Sequence, residues 1–139
     1  MAIQPILAVA AGLFLAFQSG EARPGKQLDE LQGQWLLVET ADTARVDRGD
    51  DSIRMTIKGN EIVTTFAGLT TNRGAFKAGL LNGVTTIDME FANGRAVQGI
   101  YQLDGDTLTI CIDEADRGRP STLAPSGTQW MEKWKRAQP

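Results

Sequence analysis

The sequence predicts an all-β protein whose strands close into an eight-stranded antiparallel up-and-down barrel. Three observations support this prediction. Short segments alternate between apolar and polar residues, turn-forming residues separate most of them at hairpin spacing, and no stretch between them has a clear 3.6-residue period. Alternation means that each strand buries one face, and closure into a barrel leaves no unpaired edge. A sandwich of two sheets is the alternative that the same pattern allows.

Eight segments fit the strand pattern, and they cover residues 34–40, 52–58, 61–66, 72–79, 84–91, 96–103, 107–113 and 129–136. The first, "QWLLVET", leads into a polar loop. The second alternates Ile53, Met55 and Ile57 with polar residues. Gly59-Asn60 after it predicts a two-residue hairpin, because both residues tolerate positive φ. The fourth segment is the weakest, since its glycines reduce strand stability.

Similar turns bound the last four strands. Two "NG" pairs, at 82–83 and 93–94, flank "VTTIDMEF", and "DGD" at 104–106 separates "AVQGIYQL" from "TLTICID". A long loop over 114–128 contains two prolines and two glycines and precedes the last strand, "QWMEKWKR".

The N-terminal residues predict a signal peptide over 1–22. Residues 6–17, "ILAVAAGLFLAF", are apolar but fewer than the roughly 20 that span a bilayer, and the small residues Gly20 and Ala22 place cleavage after Ala22. Residues 1–5 contain no lysine or arginine, so an uncleaved membrane anchor is the alternative. We expect export to the periplasm or outside the cell, with no stable membrane span after cleavage. A linker over 23–30, with one helical turn just before Trp35, would then lead into the barrel domain over 31–137.

Composition excludes several functions. The net charge of −3 and the pI of about 4.9 argue against nucleic-acid binding. The chain has no histidine and only one cysteine, Cys111, which rules out histidine-dependent triads, an intramolecular disulfide and the common zinc sites. The strand carboxylates Glu39, Asp88, Glu90 and Glu132 show no paired arrangement, because Asp88 and Glu90 are predicted to point outward. We therefore expect no enzyme, no catalytic or metal-binding residue and no cofactor.

Three blocks of the sequence, "LQGQWLLVE", "GIYQLDGDTLTICID" and "GRPSTLAPSGTQWMEKWKR", resemble a lipocalin-like (calycin-type) domain family of unknown function that is expanded in planctomycete bacteria. The matching positions are Leu31, Gly33, Trp35, Gly99, Tyr101, Leu103, Asp104, Gly105, Asp106, Leu108, Arg119 and Pro120. The resemblance covers roughly residues 28–136 and implies a barrel fold and export, but no established activity. Unlike true lipocalins, this chain has no segment for a helix after the barrel, which argues against a deep pocket.

The resemblance also implies that Trp35 plugs the closed end of the barrel, beneath a stacked cation. A cation is attracted to the indole face, and either Arg136 or Lys135 on the last strand could supply it. We expect this contact to be structural, so function is expected at the opposite end.

Alternation predicts an inward set of apolar residues, namely Leu37, Ile53, Met55, Ile57, Phe66, Phe76, Ile87, Met89, Phe91, Leu108, Ile110 and Ile112. An eight-stranded barrel is either filled by such residues or holds one small ligand. Gly74, Ala78 and Gly99 could leave space near the open end. The residues predicted to line a ligand site are Met55, Phe76, Met89 and Tyr101.

The last strand offers the second hypothesis. Trp130 and Trp134 share one face, so they either both point inward or both form an exposed aromatic strip. With Arg119 in the preceding loop, an exposed strip would be a surface for an envelope protein. Two functions thus stay open: an exported carrier or sensor of a small apolar molecule, and a protein-interaction or inhibitor module that uses the loop over 114–128 and the last strand.

Overall fold

The computed structural model describes residues 23–138, so the predicted signal peptide and its cleavage site lie outside the described residues. The elements are α1 (Arg23–Glu30), β1 (Gly33–Ala41), β2 (Val46–Arg48), β3 (Ile53–Lys58), β4 (Glu61–Phe66), β5 (Leu69–Leu81), β6 (Val84–Phe91), β7 (Ala96–Asp104), β8 (Thr107–Glu114), a 3-10 turn (Ala115–Arg117) and β9 (Trp130–Arg136). No helix within residues 23–138 is both long and apolar enough to cross a membrane.

The strands form a closed antiparallel barrel, as the sequence predicts. From β3 to β9 each strand pairs with the next, and β1 completes the ring by pairing with both β3 and β9. The closing seam runs from Trp35 opposite Arg136 to Ala41 opposite Met131. The eight predicted segments are the eight strands of this ring, and the sandwich alternative is excluded.

One strand was not predicted. β2 lies in the polar loop after β1 and pairs with β1 residues Glu39 to Ala41, beyond the stretch that pairs with β3. The amide of Gly49 then donates to the carbonyl of Val38 at 2.6 Å, and a Cβ at this glycine would lie 2.5 Å from the carbonyl carbon of Leu37. β2 escapes prediction because all three of its residues are exposed and show no burial alternation.

Residues 23–30, expected to form a linker, are helical and pack against β5. The helix places Gln27 in a buried position and Leu28 against the core, and Leu31 just after it is fully buried. Burial of these side chains gives the segment a stable position that its polar sequence does not reveal.

The hairpin between β5 and β6 has the two-residue turn that the Asn-Gly pair predicts. Asn82 and Gly83 both have positive φ, at 51° and 81°, and Leu81 pairs with Val84 across the turn. This two-residue loop suits the twist of the flanking strands, and it needs residues that tolerate the left-handed region. β5 is longer than predicted, and a bulge shifts its register with β4 between Thr64 and Thr65.

The core lies inside the barrel and contains residues from every strand of the ring. Most of the predicted inward set belongs to it or packs against it, together with Leu31, Ile62, Val97 and Trp134. Phe66 is the exception, because it is 49% exposed. It lies on the inward face of β4 opposite Ile53, but at the last residue before the turn, where the barrel wall ends.

Candidate functional site

The two ends of the barrel differ. One end carries α1, the starts of β1, β4, β6 and β8, and the end of β9. The other end carries the turn between β4 and β5, the turn between β6 and β7, and the long loop before β9. The first is the closed end and the second the open end.

Trp35 closes the first end. Its side chain is fully buried, and its indole N–H donates to the carbonyl of Leu31 at 3.0 Å. The guanidinium of Arg136 lies 4.2 Å from the ring centroid and donates to the carbonyls of Gln32 at 2.8 Å and Glu30 at 3.1 Å. Arg136, rather than the exposed Lys135, therefore occupies the position over the tryptophan, and it ties the end of α1 to the last strand.

The half of the barrel next to the open end contains a cavity of about 220 Å³. Residues from six strands and from the turn between β6 and β7 line it: Met55, Ile62, Thr64, Asn72, Met89, Phe91, Arg95, Ile110, Ile112, Trp130, Glu132 and Trp134. Most of this lining is apolar, and the polar groups are few, which is the usual composition of a small-molecule site. The interior is thus filled toward the closed end and hollow toward the open end.

Glu132 is the central polar group of this cavity. Both neighbouring tryptophans on the same face of β9 donate their indole N–H groups to it, Trp130 to Oε2 at 3.2 Å and Trp134 to Oε1 at 3.1 Å. Burial raises the pKa of the Glu132 carboxyl above its usual range, although the two indole hydrogen bonds and the positive charge of Arg95 act in the opposite direction.

Arg95 lies at the mouth of the cavity, in the turn between β6 and β7. Its Nε donates to Glu114 Oε2 at 2.9 Å, and its guanidinium lies 5.2 Å from the ring centroid of Trp130. The hydrogen bond to Glu114 raises the pKa of Arg95. Arg95 therefore stacks on one wall of the cavity while its charge is matched by a carboxylate outside it.

The structure separates the four residues predicted to line a ligand site. Met55 and Met89 line the cavity. Phe76 and Tyr101 are buried in the core and are not part of its wall. Burial raises the pKa of the Tyr101 phenol. The space expected at Gly74 and Gly99 is absent, because a Cβ at Gly74 would meet the backbone oxygen of Glu90 and one at Gly99 would meet that of Cys111.

The residues predicted to form an interaction surface do not form one. Trp134 is 3% exposed, Trp130 is part-buried, and both point into the barrel. Arg119 instead holds the long loop against the outer wall, where its Nη1 donates to Asp88 Oδ1 at 2.7 Å and to the carbonyl of Gly99 at 2.8 Å. The interaction hypothesis thereby loses the exposed aromatic strip that motivated it.

Cys111 is fully buried on the outward face of β8, and the long loop before β9 is tied to the same strand. Thr128 donates to both carboxylate oxygens of Asp113, at 3.0 and 2.9 Å, and Pro120 within the loop is fully buried. Burial, and the nearby charge of Asp113, raise the pKa of the Cys111 thiol. Across residues 23–138 there is no group of three or more carboxylates and thiols placed to hold a metal ion.

A second depression, of about 360 Å³, crosses the outer faces of β5, β6 and β7. Its polar lining includes Lys77, Asp88, Glu90 and Gln98. It is more open than the interior cavity, and its charged side chains lie on outer strand faces.

Sequence reasoning did not select Glu132 or Arg95. The pattern "WMEKW" places Glu132 on the same strand face as the two tryptophans, so an inward face for Trp134 brings the carboxylate inward as well. No protein-family model matches the chain, and no curated protein has a sequence with a significant match to it.

Proposed function

We propose that this protein is an exported, non-enzymatic, lipocalin-like binding protein that holds one small, largely apolar molecule in the open half of its barrel. The observation that carries the proposal is the interior cavity, with its apolar wall and the single carboxylate of Glu132. The resemblance of the three sequence blocks to an exported lipocalin-like family supports the fold and the compartment.

The cavity volume limits the size of the molecule. At about 220 Å³ the cavity exceeds the roughly 150 Å³ that accepts benzene in an engineered protein core, but it lies below the usual range for drug-sized ligands. The proposed ligand is therefore about the size of one substituted ring. The wall methionines, Met55 from β3 and Met89 from β6, can adjust their side chains to its shape.

A pair of neighbouring threonines provides the test. Thr64 lines the cavity, whereas Thr65, the next residue on β4, pairs with the exposed Arg54 and faces outward. Native mass spectrometry of the protein purified from its own host should reveal a retained small molecule. Thr64→Phe should remove it because the added ring occupies the cavity, and Thr65→Phe should retain it. A wild-type protein without any retained mass, or equal retention in both variants, would contradict the proposal.

A further inference from the structure

The cavity wall contains one acidic and one basic side chain, but the basic one is paired with a carboxylate outside the wall. Of the residues in the wall only Arg95 and Glu132 are charged, and every other wall residue from β3, β4, β5, β6, β8 and β9 is neutral. Arg95 is paired with Glu114, which lies outside the cavity wall. Among the side chains of residues 25–138, no lysine or arginine forms an ion pair with Glu132. Glu132 therefore has no ion-pair partner among these side chains, and the charge of Arg95 acts on it only from a longer distance.

The carboxylate also keeps free hydrogen-bonding capacity. An ionised carboxylate accepts about four hydrogen bonds, and Glu132 accepts one on each oxygen, from Trp130 and Trp134. Both bonds come from neighbours on its own strand, so they hold the carboxylate between the two indoles. A buried charge is costly unless it is paired, which means that this arrangement favours a ligand able to donate to Glu132.

The two tryptophans beside Glu132 also indicate which charge on a ligand the cavity favours. Indole rings attract cations, and Trp130 already stacks against the guanidinium of Arg95 at 5.2 Å. An anionic ligand would meet Glu132 at close range without a free cation to compensate. A neutral hydroxyl can also donate to the carboxylate, but only a cation adds the attraction between opposite charges and the attraction of the indole rings.

We infer that the cavity binds an organic cation, a protonated primary or secondary amine on a body about the size of one ring, with its ammonium group on Glu132 between Trp130 and Trp134. This inference rests on the proposed small-molecule function and specifies the chemical class of its ligand. The ammonium donates to the free lone pairs of the carboxylate, and the ring of the ligand lies against the apolar wall formed by Met55, Met89 and their neighbours.

Three probes of one shape test the inference. Titration calorimetry of the full chain at about pH 7 compares 2-phenylethylamine, 2-phenylethanol and phenylacetate, which are a cation, a neutral molecule and an anion. The amine should bind at least about tenfold more tightly than the alcohol, which corresponds to about 1.4 kcal/mol, because the ammonium adds the attraction of opposite charges and of the indole rings to a hydrogen bond that the hydroxyl can also make. Phenylacetate should bind most weakly.

Glu132→Gln supplies the matched variant. It should lower the affinity for the amine at least about tenfold and the affinity for the alcohol much less, since Gln keeps an acceptor for the hydroxyl but removes the negative charge that attracts the ammonium. Thr64→Phe should weaken both probes and Thr65→Phe neither, which shows that they bind in the cavity. The comparison of the three probes on the wild-type chain does not depend on the folding of any variant.

The outcomes separate the inference from the function on which it rests. Equal binding of amine and alcohol, lost in Thr64→Phe, overturns the cation inference and leaves the binding function standing. Tightest binding of phenylacetate overturns it as well and makes Arg95 the recognising group. No binding of any probe contradicts the inference, and the proposed function is then judged by the retained mass alone.

Discussion

The contact between Arg136 and Trp35 gives the most direct test of how the closed end is held together. Arg136→Ala removes a guanidinium that stacks on Trp35 and donates to two main-chain carbonyls at the end of α1. The backbone hydrogen bonds of the residue remain, including the one that its amide N–H donates to the carbonyl of Asp106 at 2.8 Å. The substitution therefore removes the side-chain contacts alone.

The magnitude follows from those contacts. Hydrogen bonds made by a charged group contribute about 1.5–3 kcal/mol each, and a cation–π contact contributes about 0.5–2 kcal/mol. The side chain of Arg136 is 32% exposed, so the lower ends of these ranges apply. The ion pair with Asp106 adds little because that carboxylate is 61% exposed. We expect Arg136→Ala to lower the free energy of unfolding by about 3 kcal/mol.

Urea unfolding followed by circular dichroism measures this loss, since fluorescence would combine the signals of three tryptophans. Arg136→Lys keeps the charge but not the planar fork, so it should lose about half as much. Hydrogen exchange should accelerate over residues 23–33, because α1 loses its tie to β9. Lys135→Ala, an exposed neighbour on the same strand, should change stability by less than about 0.5 kcal/mol. Equal losses in Arg136→Ala and Lys135→Ala would refute the structural role of Arg136.

Two further predictions concern the interior. Because burial raises the pKa of Glu132, the folded state binds this proton more tightly than the unfolded state does, so wild-type stability should fall as pH rises from the ordinary value of 4.5 through the raised one. Urea titrations across this pH range should show that the free energy of unfolding declines less in Glu132→Gln than in the wild type. The same decline with pH in both proteins would show that Glu132 is not its source. Gly99→Ala should cost about 1–3 kcal/mol, because its Cβ would press on the backbone oxygen of Cys111, whereas a Cβ at Gly79 meets only a side-chain oxygen at 3.2 Å. Thermal unfolding of both alanine variants measures the difference, and equal losses would show that the contact at Gly99 relaxes freely.

The strands of the ring could be predicted because their local chemistry agrees with the final fold. The segment "SIRMTIK" alternates, a Gly-Asn turn follows it, and β3 and β4 pair around that turn. β2 and α1 could not be predicted in the same way. Both are short: β2 has three exposed residues that pair with the adjacent β1, and α1 depends on contacts with β5, which lies far along the chain. Tertiary contacts of this kind stabilise segments whose own sequence carries no periodic pattern.

The site was harder to predict than the fold for a specific reason. Alternation shows which residues share a strand face, but it does not show which face is inward. On β9 one face carries Trp130, Glu132 and Trp134, and the other carries Met131 and two lysines, so hydrophobicity alone does not decide between them. Met131 is buried although its side chain points away from the barrel interior, and only the structure shows this burial.

One strand face thus serves both ends of the barrel. From the closed end to the mouth, β9 presents Arg136 over the Trp35 plug, then Trp134, then Glu132 and Trp130 at the cavity. Arg136 and Glu132 are four residues apart, about 13 Å along a strand, so their side chains act in separate environments. The plug fixes the position of β9 in the ring, and this fixed strand in turn holds Glu132 between its two indoles. A rigid strand is better suited than a loop to hold a carboxylate in one geometry, because its backbone is hydrogen-bonded on both sides, here to β1 and β8. The stability of the closed end is therefore a condition for the selective binding that we propose at the open end.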